Sequence, residues 1–526
     1  MRMTRAWQPS APFNSILANC DQAIRTILVP LLGGTSSMPG HRLRLWEAAV
    51  VLLGAIAVAA FILVPVAALV VVITCAVLWF LEMVGDALRG KIDRALLCWA
   101  GLFPLGYFAL FPRERSIVTF ERVVVLLAFL GLFFITRGTL MRTPKALRLA
   151  GSACLVFIVV AGLTLMKSPD PLNSTRTLFD SYVQPLLFGW LVIAWFDVRG
   201  RLAETHAAVC LSSIICAAIA AGEMITKEDL LPVGQSVMFY AGGFPRPNGP
   251  FAANDTLALV GGFSFFFLLF LRAALGPELS AGSRMLHAVG IAAALGMALM
   301  PMFRSVAITL LVVQLIEIFW EKEATRRAWR VAFMLACVGV ILIAPLFVSQ
   351  SMIEDRSSRE NAYGRLAQFE QNLQVFLDHP VVGVGYLNFH DYVVGEPRYV
   401  SKYEGVSSLD WPHNNLAEAL AETGLLGFVP FVLMHALLFS AMWKLRKQSP
   451  SAHLAWKYLL YLFLTYWITG LTESSGHEFS NIWYAFAVVV IYKYSVTEPD
   501  STQFGEGQVP DSIFNPSKSP SFVFLQ

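Results

Sequence analysis

Apolar residues run along this chain in long blocks, and the polar residues are gathered at the joints between them. Blocks of roughly 16–23 apolar residues are long enough to cross about 30 Å of hydrocarbon as helices. They fall at Ala48–Leu63 and Val66–Val84, a hairpin broken at Pro65, then at Ala95–Phe111, Ser116–Thr136, Leu149–Met166, Leu178–Phe196 and Ala203–Ile225. Four more follow a polar stretch, at Thr256–Leu275, Leu286–Met302, Ser305–Trp320 and Val331–Ser349. Three close the chain, at Leu416–Trp443, Tyr458–Thr472 and Phe479–Tyr494. The pattern predicts an all-α polytopic membrane protein with about 14 transmembrane helices, in a range of about 12–14. Its expected organisation is a tail (1–46), helices one to eleven (47–349), a long polar loop (350–415), three final helices (416–494) and a Ser-, Pro- and Gly-rich disordered tail (495–526).

Within the long loop one segment has helical periodicity. Leu366, Phe369, Leu373 and Phe376 share a face, with Arg365, Gln368, Glu370 and Gln371 elsewhere. Such a helix suits the surface of the outer leaflet or the roof of a cavity. Composition agrees with the membrane reading: 56% of residues are hydrophobic, 14% are charged and the mean hydropathy is +0.61, more apolar surface than a soluble domain hides. The seven cysteines lie in the N-terminal tail or in apolar stretches without CxxC spacing, which argues against a disulfide framework or a structural metal. Nothing in the chain has the form of a Walker motif, a dinucleotide fingerprint or a metal-binding aspartate pair.

Charge placement gives an orientation. Arg89, Lys91 and Arg94, then Arg137, Arg142, Lys145 and Arg148, then Lys322, Arg326, Arg327 and Arg330, and finally Lys444, Arg446 and Lys447 occupy alternate joints. Under the positive-inside rule these are cytoplasmic. Both termini are then inside and the long loop outside.

Four polar features fall on that outer side. Arg246 stands between two prolines in Gly242–Asp255, ahead of Asn254 and Asp255, either of which is suited to cap the next helix. Arg304 lies where two apolar spans meet, a depth that costs ~3 kcal/mol unless the group is paired, snorkels or faces a cavity. Gly383 and Gly385 supply turn positions after the loop helix. His413, Asn414 and Asn415 open the next hydrophobic helix, and that helix carries Glu418 and Glu422 one turn apart. A histidine at a helix N-terminus tends to be neutral and so able to act as a base. Arginines beside a base suit an anionic leaving group, because guanidinium binds phosphate oxygens in pairs.

These residues resemble the bacterial O-antigen ligase and polysaccharide polymerase family. The likeness rests on Arg246 through Ala258, on Arg304-Ser305, on the run from His379 to Phe389, and on His413-Asn414-Asn415-Leu416 with Glu422-Thr423-Gly424-Leu425-Leu426-Gly427. Phe303-Arg304-Ser305 departs from the family's usual Ser-Arg-Gly, and Ala253-Asn254-Asp255 from its Asn-Pro-Asn-like run. The resemblance implies a metal-independent glycosyltransferase with no cofactor in the bacterial inner membrane, working on the periplasmic face. It implies an undecaprenyl-pyrophosphate-linked glycan as donor and a glycan or lipid A–core sugar as acceptor, with membrane lipids and polysaccharide assembly proteins as further partners and no nucleic acid. Carried over, His413 is the catalytic residue with Glu422 supporting it, Arg304, Arg365 and Arg246 hold the pyrophosphate, and Gly383, Gly385 and Asn414 shape the loop. The expected activity is polymerisation of a surface or exopolysaccharide. Ligation of O-antigen to lipid A–core is the alternative, a transporter or flippase is a third reading, and a non-catalytic assembly subunit a fourth.

Overall fold

The computed structural model describes residues 92–103, 109–111, 118–119, 122, 125, 144–230, 239–241, 244–251, 253–276, 280–343, 359–400, 402–408, 412–472 and 478–497. The expected N-terminal tail, the hairpin at Ala48–Leu63 and Val66–Val84, most of Ser116–Thr136 and most of the C-terminal tail lie outside these residues.

The described residues form a helical bundle with a small cap at one end. Six described helices or helix runs are long and apolar enough to cross a membrane: Lys145–Lys167, Pro171–Trp195, Leu202–Thr226, Asn254–Leu275, Ala281–Leu299 and Asn415–Leu445. In chain order the helices are α1 (Asp93–Leu102), α2 (Lys145–Thr164), α3 (Pro171–Leu178), α4 (Gln184–Trp195), α5 (Leu202–Thr226), α6 (Asn254–Leu275) and α7 (Ala281–Leu299). They continue with α8 (Arg304–Trp320), α9 (Ala324–Ile343), α10 (Arg359–Asp378), α11 (Phe389–Gly395), α12 (Asn415–Leu445), α13 (Pro450–Gly470) and α14 (Glu478–Val496). Three two-stranded hairpins complete the described part: β1–β2 (Ala109–Phe111 with Val118–Thr119), β3–β4 (Phe239–Ala241 with Phe244–Arg246) and β5–β6 (Lys402–Tyr403 with Val406–Ser407).

Two expected spans differ in detail. Ala95–Phe111 holds a helix over Asp93–Leu102 and, at its far end, a hairpin strand at Ala109–Phe111. The span expected at Leu178 begins at Pro171 and passes through a π-turn at Phe179–Val183. Pro185 brings no N–H to the Ser181 carbonyl, which accepts instead from Asn481 Nδ2 at 3.2 Å.

α6 is the centre of the bundle and is the most deeply buried of the candidate spans. Around it pack α5, α7, α8, α13 and α14. An aromatic cluster of Trp99, Phe103, Phe188, Trp483 and Phe486 fills the space between α1, α4 and α14. Lipid gives helices little hydrophobic drive to associate, so close approach through small residues matters. Gly261 lies against the Met297–Ala298 backbone, and Gly290 against Cys210, where any Cβ would come within 2.6 Å of a neighbour. A second core joins α2 to α12 through Phe157, Tyr182, Tyr386 and Phe431. Apolar side chains such as Leu155, Val159, Leu163 and Leu433 face outward, as lipid contact requires.

The two ends of the bundle differ chemically. One carries Lys145, Arg148, Arg272, Arg284, Lys444 and Arg446 at helix starts and stops. There Glu317 is enclosed by Lys457, by Arg330 at 3.3 Å and by the Tyr461 hydroxyl, beside the tilted pair Trp320 and Trp456. The other end gathers the N-termini of α6, α8 and α12, the C-termini of α5, α7 and α13, and the cap built from residues 359–408.

Candidate active site at the capped end of the bundle

Arg246 is presented by β4, and the turn after it is held from below. Glu223, fully buried in the last turn of α5, accepts hydrogen bonds from the Asn248 and Gly249 N–H groups at 2.9 and 2.7 Å. Asn248 Nδ2 donates to Asp229 at 3.1 Å. Gly249 takes φ +60°, which a side chain would oppose. The guanidinium of Arg246 then donates from Nε to the Pro301 carbonyl at 2.9 Å and from its terminal nitrogen to Asn254 Oδ1 at 3.2 Å. Asn254 is therefore occupied by the arginine and does not cap α6; the N-cap is Ala253, with no side-chain cap, and Asp255 accepts from the Thr256 N–H.

Pro301 belongs to the tight turn between α7 and α8, with Met302 at φ +56°. Three residues on, Arg304 is the first residue of α8 and is exposed. Its neighbour Ser305 is buried and hydrogen-bonds the Thr472 hydroxyl. Leu471–Thr472, just after α13, is a meeting point for the whole site. Arg365 of α10 donates to the Thr472 carbonyl, and Asn414 Nδ2 donates to the Leu471 carbonyl at 3.3 Å. Gly470 leaves room for Asn415, whose amide would lie 2.8 Å from a Cβ there.

His413 stands immediately before this junction, half-buried, with φ +41°. Left-handed backbone is uncommon for non-glycine residues, and histidine is among the types that tolerate it best. Asn414 is the N-cap of α12: its Oδ1 accepts from the Leu416 and Ala417 N–H groups, both at 3.0 Å. The contacts thus bring Arg365, Ser305 next to Arg304, and Asn414 next to His413 onto one dipeptide. Arg246 joins them through the turn at Pro301.

The glycine run of the loop is stitched to α12. Val384 and Gly385 donate to the Ala421 and Glu422 carbonyls at 3.0 and 2.8 Å, and Leu425 and Leu426 donate to those of Pro380 and Val381 at 2.9 and 3.1 Å. This pairing breaks α12 at Gly424, which takes φ +58° and ψ −166°, a region open almost only to glycine. The two glycines face the opposite strand at close quarters. A Cβ on Gly383 would lie 2.3 Å from the Glu422 backbone, and one on Gly424 would lie 2.4 Å from that of Val381.

Glu422 is buried beneath the same turn and accepts from the Leu387 and Phe389 N–H groups at 2.8 and 3.3 Å. Both carboxylate oxygens therefore serve the loop backbone. From α2, Thr164 Oγ1 accepts from the Tyr386 N–H at 3.1 Å and Lys167 Nζ donates to the Gly383 carbonyl at 2.9 Å. Gly385, at φ +116°, passes close to the Lys167 side chain. Further out, Tyr399 is packed under α11 and donates to Asp378 at 2.7 Å, and burial pushes its phenol pKa up.

α10 has its apolar side outward. Leu366, Phe369, Leu373 and Leu377 are exposed, whereas Ala367, Gln368, Gln371, Asn372 and Val375 are buried. Between α10 and the start of α12 lies a groove of about 220 Å³, walled by Phe369, Leu373, Leu416 and Leu420 with Asn372 and Asn414 among its lining.

Sequence reasoning missed Glu223, Lys167 and Thr472. Glu223 carried a usable signal, since a carboxylate near the end of an apolar span is costly and wants a partner. Lys167 and Thr472 read as ordinary span-end residues and carried none. Residues 254–432 match the family model described as O-antigen ligase, a segment that contains Arg304, Arg365, His413, Asn414 and Glu422 but not Arg246, Glu223, Lys167 or Thr472. No curated protein matches the chain at a significant level.

Proposed function

We propose that the chain, whose residues 254–432 match the family model described as O-antigen ligase, transfers a glycan from a polyprenyl-pyrophosphate carrier to an acceptor sugar hydroxyl. The supporting observation is the convergence of Arg365, Ser305–Arg304 and His413–Asn414 on Leu471–Thr472. Cations and the N-termini of α8 and α12 gather there, and each favours an anion. In the proposed step His413 accepts the proton of the acceptor hydroxyl. That oxygen forms a bond to the anomeric carbon while the bond from that carbon to the pyrophosphate oxygen breaks. The lipid pyrophosphate leaves with the bonding electron pair, and the arginines stabilise its charge.

Under this reading Glu422 is a positioning residue, since its oxygens are taken by loop N–H groups. The Lys- and Arg-rich end of the bundle is the cytoplasmic one, so the site faces the periplasm across the inner membrane. Polymerisation of a surface or exopolysaccharide is the preferred reaction, and ligation to lipid A–core uses the same clamp and base with another acceptor.

Deleting the gene and inspecting both lipopolysaccharide and secreted polysaccharide separates these outcomes. Single-repeat products identify a polymerase, and uncapped lipid A–core with accumulated lipid-linked polymer identifies a ligase. Complementation with His413→Ala is expected to lower product by about 10²–10⁴-fold at equal protein level. Full rescue by that variant overturns the catalytic role.

A further inference from the structure

α10 is turned inside out for a helix lying on a protein in water. Its amide side chains Gln368, Gln371 and Asn372 are buried, while Leu366, Phe369, Leu373 and Leu377 form one stripe that is 43–64% exposed. A water-facing helix shows the opposite arrangement. Single exposed leucines are ordinary on a protein surface, but a continuous stripe of them marks a contact with something apolar.

Both ends of α10 are fixed at the height where spans end. At one end Arg365 donates to the Thr472 carbonyl, just past the close of α13. α13 has 21 residues, about 31 Å at 1.5 Å per residue, the length of one hydrocarbon crossing. At the other end Pro380 and Val381, directly after α10, accept from the Leu425 and Leu426 N–H groups. Those two leucines open the part of α12 beyond the Gly424 break, a stretch of about 20 residues and roughly 30 Å, again one crossing. Trp443, Lys444 and Arg446 stand at its opposite end, residue types that favour the membrane–water boundary. With both ends pinned at the same boundary, α10 runs along it.

The stripe also continues a surface that meets lipid. Leu425, Leu426, Val429 and Leu433 of α12 are exposed, and Val381 and Val382, also exposed, join them to Leu377. Acyl chains cover the α12 part, and the same apolar surface extends onto α10. Helical spacing places the exposed Glu370 and the half-buried Gln374 along one flank of the stripe, as a helix lying in the interface requires at its water line.

We propose that α10 is an interfacial helix seated in the leaflet on the capped side of the membrane, with Leu366, Phe369, Leu373 and Leu377 among the acyl chains. The partner is the lipid surface itself. This inference rests on the spans and holds whether or not the chain transfers a glycan. Because Arg365 rides on the same helix, the bilayer surface helps to set the height at which that arginine meets Thr472.

Spin labelling of the full chain in lipid nanodiscs tests it. In a background lacking the seven cysteines, nitroxides are placed at Phe369→Cys, Leu373→Cys, Leu377→Cys and Glu370→Cys. Val429→Cys serves as the lipid-facing reference and Lys402→Cys as the water-facing one, both positions being exposed. Collisions with oxygen, which concentrates in hydrocarbon, are compared with collisions with a water-soluble nickel chelate. The oxygen-to-nickel ratio at Phe369, Leu373 and Leu377 is expected to be several-fold above that at Lys402 and close to that at Val429, with Glu370 in between. Ratios equal to that at Lys402 put α10 in water and overturn the proposal. Exclusion of both reagents from all three positions means that protein covers the stripe, which overturns it as well. Should one α10 variant fail to fold, the other two carry the same expectation.

Discussion

At the scale of single residues, two buried carboxylates do the same job in different loops. Glu223 holds two successive N–H groups under the Arg246 turn, and Glu422 holds two under the glycine run. Each ties a charged loop to a membrane helix through bonds that only an acceptor can make. Glu422→Gln should therefore destabilise the protein by about 1–3 kcal/mol, because its amide NH₂ turns a donor toward a backbone donor. The thermal midpoint of the purified protein measures this, and His413→Ala should leave that midpoint unchanged. Glu223→Gln should likewise weaken substrate binding through Arg246 more than it slows turnover, seen as a raised KM with kcat little altered. The cations and His413 were legible in the sequence because a charge at the end of an apolar span stands out. Glu223 was overlooked and Lys167 unreadable because their partners, Gly249 and Gly383, are distant in the chain.

At the scale of elements, α12 is where prediction and structure part most instructively. The apolar run through Leu416–Trp443 predicts one uninterrupted helix, and hydrophobic periodicity cannot register the break at Gly424. The break exists because residues 380–385 supply hydrogen-bond partners that the helix would otherwise find within itself. Gly383 and Gly385 were readable as turn formers, but the matching demand at Gly424 depends on what crosses it. Gly424→Ala should cost more than ~1 kcal/mol from backbone strain alone, with displacement of Val381 in addition. Limited proteolysis should report it as faster cleavage in residues 359–408, while α13 and α14 stay protected.

At the scale of the molecule, the bundle separates its chemistry by end. The alternation of apolar blocks made the helical membrane class and the six described candidate spans legible, and Lys and Arg placement gave the same two ends that the helix directions give. In a background lacking the seven cysteines, Glu370→Cys should react with an impermeant maleimide in intact spheroplasts. Lys322→Cys should react only after the membrane is opened. Both positions are exposed, so reversed labelling would invert the orientation.

The stitching of residues 380–385 to 421–426 also bears on how such proteins can be recombined. Four backbone hydrogen bonds and two glycines, each against the other segment's backbone, make the long loop and the start of α12 one interlocked piece, although more than thirty residues separate them in the chain. A chimera that imports a foreign loop alone would bring in half of a fastener. Exchanging acceptor or donor preference between relatives should therefore succeed only when residues 379–389 and 421–427 travel together, and a shuffled library selected for activity should show its crossovers outside that pair.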